Sequence, residues 1–308
     1  MRVLLTGGSG MVGRAMRRLA PQVAPHLTLL APDRATLPLD DRAQVAAWIA
    51  DHRIDAIIHA AARVGGIQAN IDDPTGFLAD NLRLADAVLM GAHQAGVGRL
   101  VNLGSSCMYP RDWRQPLVED DILAGPLEPT NEGYALAKIT AARLCQAVAA
   151  QYPGRIWRTL IPCNLFGPED HFGAASAHLV AAAITKVLVA RRDGADTVEI
   201  WGSGRARREF MAADHLARFV LGGLGDMDRW PAVMNIGAGR DHSVTEYYRM
   251  IADVAGWRGR FVHDPARPEG MMAKLMSSDR ARAQGWRPPQ DLRADLATAI
   301  AAAQGTLN

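Results

Sequence analysis

Cysteine is scarce in this chain: three residues in 308, Cys107, Cys145 and Cys163, an odd number with no short repeat spacing. That count argues against a disulfide-stapled scaffold and a cysteine-built zinc site, and it fits reduced thiols. Charge of a single sign is lacking too. Lys and Arg total 34 against 32 for Asp and Glu, and a formal charge of +2 is too small to argue for nucleic acid or a membrane surface as partner. No apolar run approaches the length that spans a bilayer. Met1-Arg2-Val3-Leu4-Leu5-Thr6-Gly7 goes straight into a strand and a glycine turn, without the basic head, apolar middle and cleavage site of a signal peptide. The expectation is a cytoplasmic protein that holds no metal. Internal repeats and low-complexity segments are missing as well. What remains is ordinary for a globular protein, 49% hydrophobic and 21% charged, with a length that suits one large α/β domain or two smaller ones.

The first half alternates short β-rich runs with amphipathic helical stretches. RVLL (2–5), LTLL (27–30), AIIHAA (56–61), RLVNLGS (99–105) and RIWRTLIP (155–162) read as strands. Helices are predicted from about Met11 to Leu19, near Arg42–His52 and through 77–95. Such short connections mean βαβ units and a parallel, Rossmann-type doubly wound sheet. After Asn164-Leu165-Phe166-Gly167-Pro168 the composition changes. An Ala- and Gly-rich loop leads to a helix around 178–191, strands at 197–204, 233–239 and 258–265, a helix over 243–256 opened by a Ser cap, and a terminal helix from about Asp291. The expected organisation is a nucleotide-binding domain over 1–165, to which about 205–240 returns. A smaller α/β domain, for substrate, is built from 166–204 and 241–308.

Thr6-Gly7-Gly8-Ser9-Gly10-Met11-Val12-Gly13 carries Gly-x-x-Gly-x-x-Gly directly after the first strand. Gly7 permits the tight turn, Gly10 lets backbone approach a pyrophosphate, and Gly13 allows close packing of helix and strand. The helix N-terminus offers free N–H groups to phosphates. Asp33 lies twenty residues past Gly13, where an acid would bind a ribose hydroxyl, but the second strand's last residue is apolar and Arg34 adjoins Asp33. An arginine there suits a 2′-phosphate, so the cofactor expected is NADP(H).

Tyr134 and Lys138 stand four apart, on one face of a helix. A tyrosine so placed donates a proton to a carbonyl oxygen as hydride reaches its carbon, and the ammonium eases formation of the phenolate. Ser105, about thirty residues upstream, can share the carbonyl's hydrogen bond. Alone the Tyr-x-x-x-Lys pair is weak; with the glycine turn and the serine it is a reductase signature. Cys107, two past Ser105, reads as either a small core hydrophobe or an acid/base. On extended chain its side chain and that of Ser105 could point the same way.

These residues resemble the extended short-chain dehydrogenase/reductases. AARVGGIQAN (61–70), LGSSCMYP (103–110), GPLEPTNEGYALAK (125–138), IPCNLFGPEDHF (161–172), WGSGRARREF (201–210) and RPEGMMAKLM (267–276) are similar to segments of the GDP-L-fucose synthase family. The resemblance runs through essentially the whole chain. It implies 3,5-epimerisation and 4-keto reduction of GDP-4-keto-6-deoxy-D-mannose, with Cys107 and His178 as the proton-exchanging pair beside Ser105, Tyr134 and Lys138. It also implies that Met11, Val12, Leu39, Ala61, Pro162, Asn164, Leu165 and His178 line the cofactor, and that Lys186, Trp201, Arg208, Lys274 and Glu269 contact the GDP-sugar. Arg208 and Lys274 suit a diphosphate by charge. A homodimer, through helices of the first domain, is the implied assembly. Cys145 and Cys163 are left as structural residues.

Sugar-nucleotide dehydratases of the superfamily carry an Asp-Glu pair where this chain has Ser106 and Cys107, which argues against dehydration. A 4-epimerase, a reductase or epimerase of another GDP-deoxysugar or GDP-heptose, and a non-catalytic NADP-binding protein are the alternatives. Glu169 and His171 stand where a His and an Asn are common, Glu269 where Asp is usual, and the GAASAH loop (173–178) is atypical. These departures, near the expected sugar pocket, bear on sugar identity more than on reaction type.

Overall fold

The computed structural model describes residues 1–173, 178–267 and 269–307. The elements run β1 (Arg2–Thr6), α1 (Met11–Val23), β2 (Thr28–Leu30), α2 (Arg42–Asp51), β3 (Ala56–His59), α3 (Ile67–Asp72), α4 (Pro74–Gln94) and β4 (Arg99–Leu103). They continue with α5 (Glu132–Gln151), β5 (Ile156–Pro162), β6 (Asn164–Phe166), α6 (Leu179–Arg192), β7 (Thr197–Trp201), β8 (Arg207–Arg208), β9 (Phe210–Ala212) and α7 (Ala213–Gly223). Last come β10 (Val233–Ile236), β11 (His242–Ser243), α8 (Val244–Ala255), β12 (Arg260–Asp264), α9 (Asp279–Ala283) and α10 (Leu292–Leu307).

Six strands form one parallel sheet in the order β10-β5-β4-β3-β1-β2. Strands β1, β3 and β4 are buried on both faces, which is why they read as continuous apolar runs rather than as alternation. On one face α1 packs against α7; on the other α2, α4 and α5 pack in succession. One apolar core holds Val3, Leu5, Met16, Leu19, Leu216 and Val220, and a second, across the sheet, holds Leu4, Ile57, Val88, Leu89, Cys145 and Trp157. A third joins α6, α8 and α10 to β7 and β9 through Ile184, Val187, Ile200, Tyr247, Ile251 and Leu296. β10 pairs with β5 at the edge of the large sheet, while β9 pairs with β6, and β8 with β11, in separate two-stranded sheets.

Local signals explain most boundaries. Ser243 opens α8 with a reciprocal capping box: its hydroxyl accepts the Glu246 N–H at 3.2 Å and the Glu246 carboxylate accepts the Ser243 N–H at 2.6 Å. Such a cap is worth about 1 kcal/mol. Gly256, at φ +73°, ends the same helix in the left-handed region. The long helix expected through 77–95 begins earlier, at Pro74, because Asp73 caps it by accepting the Gly76 N–H at 2.9 Å. A short extra helix, α3, precedes that cap.

Candidate active site

A cavity of about 840 Å³ opens along the carboxyl ends of β1, β3, β4 and β5. This is the edge where doubly wound sheets bind ligands, at the point where the strand order reverses on either side of β1.

The glycine turn after β1 forms one end. Gly7 has φ +73°, and a Cβ on it would lie 2.7 Å from the Ala61 amide nitrogen. Gly7 O accepts the Gly10 N–H at 3.0 Å, closing the turn. A Cβ on Gly13 would drive into the Gly7 carbonyl oxygen, so Gly13 packs the helix onto the turn itself. No side chain caps α1 and no acid stands in its first turn. Its N–H groups are therefore free for an anion, and a nucleotide diphosphate fits the cradle. Gly13→Ala is expected to cost about 1–3 kcal/mol through overpacking. Thermal melting and dinucleotide titration check this; an unchanged Tm with unchanged affinity would refute the packing argument.

Beneath the turn, His59 at the end of β3 shares a hydrogen bond with the Thr6 hydroxyl at 2.8 Å. Burial, helped by the Lys138 charge, pushes this imidazole down to about 3, so it is neutral at any working pH. Nothing in its local sequence marks it.

Lys138 is brought to the site by α5. Its ammonium is almost fully buried and donates to the Leu103 carbonyl, the last residue of β4, at 2.8 Å. Desolvation lowers it to about 8, against a smaller opposing pull from Cys107. Tyr134 sits one turn earlier, its ring centroid 5.8 Å from the Lys138 nitrogen. Burial, and secondarily Cys107, hold the phenol above its ordinary range, while a hydrogen bond with Ser105 works the other way. The phenol is thus protonated at neutral pH and able to serve as an acid, with the ammonium close by.

A pH dependence follows. As pH rises through about 8, Lys138 of the free protein loses its proton, and with it the positive charge that favours a developing phenolate. Reduction measured as kcat/KM is expected to hold below that point and fall above it; a profile level across it would exclude the lysine's role. Stability has the opposite sign. Between about 8 and the ordinary lysine value of 10.5 the unfolded chain holds this proton and the folded one does not, so the penalty of burying Lys138 is relieved as pH rises.

Ser105 is extended, at φ −153°, but the chain does not continue so. Residues Ser106–Met108 form a single 3₁₀ turn, and the Ser105 hydroxyl accepts the Cys107 N–H at 3.3 Å. The expectation that Ser105 and Cys107 share a direction along extended chain is therefore corrected: a serine hydroxyl that captures the N–H two residues on bends the backbone. Both side chains nonetheless reach the same cavity. The Cys107 sulfur, half-buried, faces the Asn131 amide at 3.3 Å and the Lys274 ammonium at 3.8 Å. Two donors turned toward a thiol supply what a thiolate accepts. Asn131 had no signal beyond its place in the loop before Tyr134.

His178 begins α6 as its N-cap residue, makes no side-chain cap hydrogen bond, and lines the cavity at an exposed position. Desolvation by the surrounding walls lowers its pKa, and the nearby Asp170 opposes that. Asp170, raised by burial, lines the cavity with His171. Glu169 does not. Its carboxylate pairs with Arg18 on α1 at 2.7 Å, so this departure braces a loop against the first helix instead of facing the sugar pocket. In the GAASAH loop, residues 174–177 lie outside the described residues.

Met11, Val12, Arg34, Leu39, Ala61, Pro162, Asn164 and Leu165 all line the cavity, as do Arg208 and Lys274. Three expected contacts stand off its wall. Trp201, exposed on β7, lies between two cations, with the Lys186 nitrogen 5.3 Å and the Arg267 guanidinium carbon 4.9 Å from its ring centroid. Glu269 accepts from the Ser203 hydroxyl at 2.6 Å, and its carbonyl accepts from Arg208 at 3.0 Å. Cys145 and Cys163 are buried, and burial pushes the Cys145 thiol up to about 12.

A parallel sheet with a glycine turn at its first strand, and a serine, tyrosine and lysine gathered at the same edge, define a dinucleotide-dependent oxidoreductase. Residues 3–237 match the NAD dependent epimerase/dehydratase family. The chain belongs to that family, the extended short-chain dehydrogenase/reductases. It is 43% identical over 295 residues to GDP-L-fucose synthase of Azorhizobium caulinodans, covering 96% of this chain and 94% of that one. It is 41% identical over 296 residues to GDP-L-colitose synthase of Yersinia pseudotuberculosis, covering 96% of each. Among solved structures, a GDP-6-OMe-4-keto-L-xylo-heptose reductase from C. jejuni superposes with a TM-score of 0.91 at 25% identity, over 100% of this chain and 98% of that one.

Proposed function

We propose that this enzyme epimerises GDP-4-keto-6-deoxy-D-mannose at C3 and C5 and reduces its C4 ketone with NADPH, giving GDP-L-fucose. The observation that carries the reading is the Cys107 thiol, faced by Asn131 and Lys274, in one cavity with Ser105, Tyr134, Lys138 and His178. A reductase alone has no use for a thiol there. NADP(H) is favoured over NAD because the Asp33 carboxylate is engaged with the Thr36 N–H at 2.8 Å, while Arg34 lines the cavity and has no carboxylate partner among the described residues.

The C4 ketone acidifies the hydrogens on C3 and C5. Cys107 and His178 stand as base and acid: one removes a proton to give an enolate, the other returns one to the opposite face. Bound NADPH supplies the hydride for C4. Tyr134 donates its proton to the C4 oxygen, Ser105 shares that oxygen's hydrogen bond, and Lys138 opposes the phenolate's charge. Arg208 and Lys274 are cations for the diphosphate. Residues 1–165 with the return over 205–240 form the NADP domain in this reading, and 166–204 with 241–308 the GDP-sugar domain. Homodimerisation runs through the helices of the first domain, where Leu136 and Tyr152 are exposed.

A second substrate, a related GDP-4-keto-deoxysugar, is favoured by the 41% identity to a GDP-L-colitose synthase. Turnover of GDP-4-keto-6-deoxymannose with NADPH in deuterated water separates the readings. Deuterium at both C3 and C5 is the expected result. NADPH oxidation without deuterium removes the epimerase assignment, and absence of turnover points to another sugar.

A further inference from the structure

Glu209 is buried to 1% exposure between β8 and β9, outside the cavity wall. One carboxylate oxygen accepts the Gly239 N–H at 2.7 Å, just past β10, and the other accepts the Met276 N–H at 3.1 Å. Gly237 lies directly beneath: a Cβ there would sit 2.5 Å from the same oxygen that holds Gly239. The Glu209 carbonyl accepts both the backbone N–H of Asn164, at 3.2 Å, and its side-chain amide, at 3.0 Å. Its preceding neighbour is Arg208, and Met276 lies two residues past Lys274. Arg208, Asn164 and Lys274 all face the cavity. The buried carboxylate thus ties the stretch that carries Arg208 to the one that carries Lys274, while the backbone carbonyl holds Asn164 whatever the side chain.

We propose that the Glu209 carboxylate is a positioning group for the GDP-sugar, holding Arg208 and Lys274 in mutual register. This rests on the functional reading above. A carboxylate suits the task because both its oxygens accept, and the two N–H groups it serves are donors only. A carboxamide of the same shape would turn an N–H₂ toward one of them and leave that donor without a partner. The 274–278 segment keeps other anchors, since the Leu275 N–H bonds Gln115 at 2.7 Å and the Ser277 N–H bonds the Leu117 carbonyl at 2.8 Å. Loss of the carboxylate therefore shifts the wall without removing it. The dinucleotide end of the cavity, built by the glycine turn and α1, has no bond to Glu209 among these contacts.

Glu209→Gln is tested by calorimetric titration with GDP and separately with NADPH, and by steady-state turnover. GDP binding is expected to weaken by about tenfold, the size of one lost buried hydrogen bond. NADPH affinity stays as it was, and the turnover defect falls on KM and not on kcat. Glu209→Asp, which keeps the charge but shortens its reach, is expected to show the same split and serves if the first variant does not fold. GDP and NADPH both bound as in the unchanged protein, whatever the Tm, would reduce Glu209 to a structural brace and overturn the inference. Equal losses for both ligands would overturn it too, as general loosening. GDP that fails to bind the unchanged protein overturns the functional reading on which the inference stands.

Discussion

Cys107→Ser is expected to slow epimerisation by about 10²–10⁴-fold, the range a positioned acid or base contributes. NADPH binding should be untouched. The hydroxyl is nearly isosteric with the thiol, so Asn131 and Lys274, at 3.3 and 3.8 Å from the sulfur, keep a partner and the cavity wall keeps its shape. What is lost is the more acidic group, since an alcohol holds its proton far more tightly than a thiol. The measurement is uptake of deuterium from solvent at C3 and C5. Exchange at the parent rate would make Cys107 a filler residue and assign the proton transfer to another group.

Tyr134→Phe produces the complementary defect. Hydride transfer to a ketone leaves negative charge on oxygen, and the variant has no proton for it. Loss of this general acid is expected to lower kcat for reduction by about 10²–10⁴-fold. Exchange at C3 and C5 persists, because Cys107 and His178 are in place. The ring still fills its position beside Lys138, 5.8 Å from the nitrogen, so folding is preserved. Wash-in of deuterium without NADPH oxidation is the signature sought. Reduction close to the parent rate would show that another group protonates the oxygen. The two variants thus divide one cavity into two chemistries, and each is the other's control for folding.

Both rest on features of unequal visibility in the chain. The glycine turn and the Tyr134/Lys138 pair obey spacing rules that act within one element: a turn needs its glycine at a fixed offset, and four residues bring two side chains to one helix face. They were legible without coordinates. So was the Ser243 cap, which needs only its own next turn of helix. The 3₁₀ turn at Ser106–Met108 was not, because the alternation expected of extended chain lost to a local hydrogen bond that the Cys107 N–H donates to the Ser105 hydroxyl. Glu169 shows a different limit. Its deviation from the family pattern was visible, but only packing against Arg18 revealed that it braces a loop.

The sequence alone determined the parallel α/β architecture, the dinucleotide turn and the serine, tyrosine and lysine of the reductase apparatus, since each is written in short-range periodicity or spacing. Tertiary structure decided who surrounds the thiol. Lys274 reaches Cys107 from 167 positions away and Asn131 from 24. It also decided that the 208 and 274 segments meet through one buried carboxylate, Glu209, and that Lys138 sheds part of its basicity. No spacing rule connects residues so far apart. Their proximity, and the desolvation that shifts Lys138 to about 8, exist only once the cores on both faces of the sheet have closed.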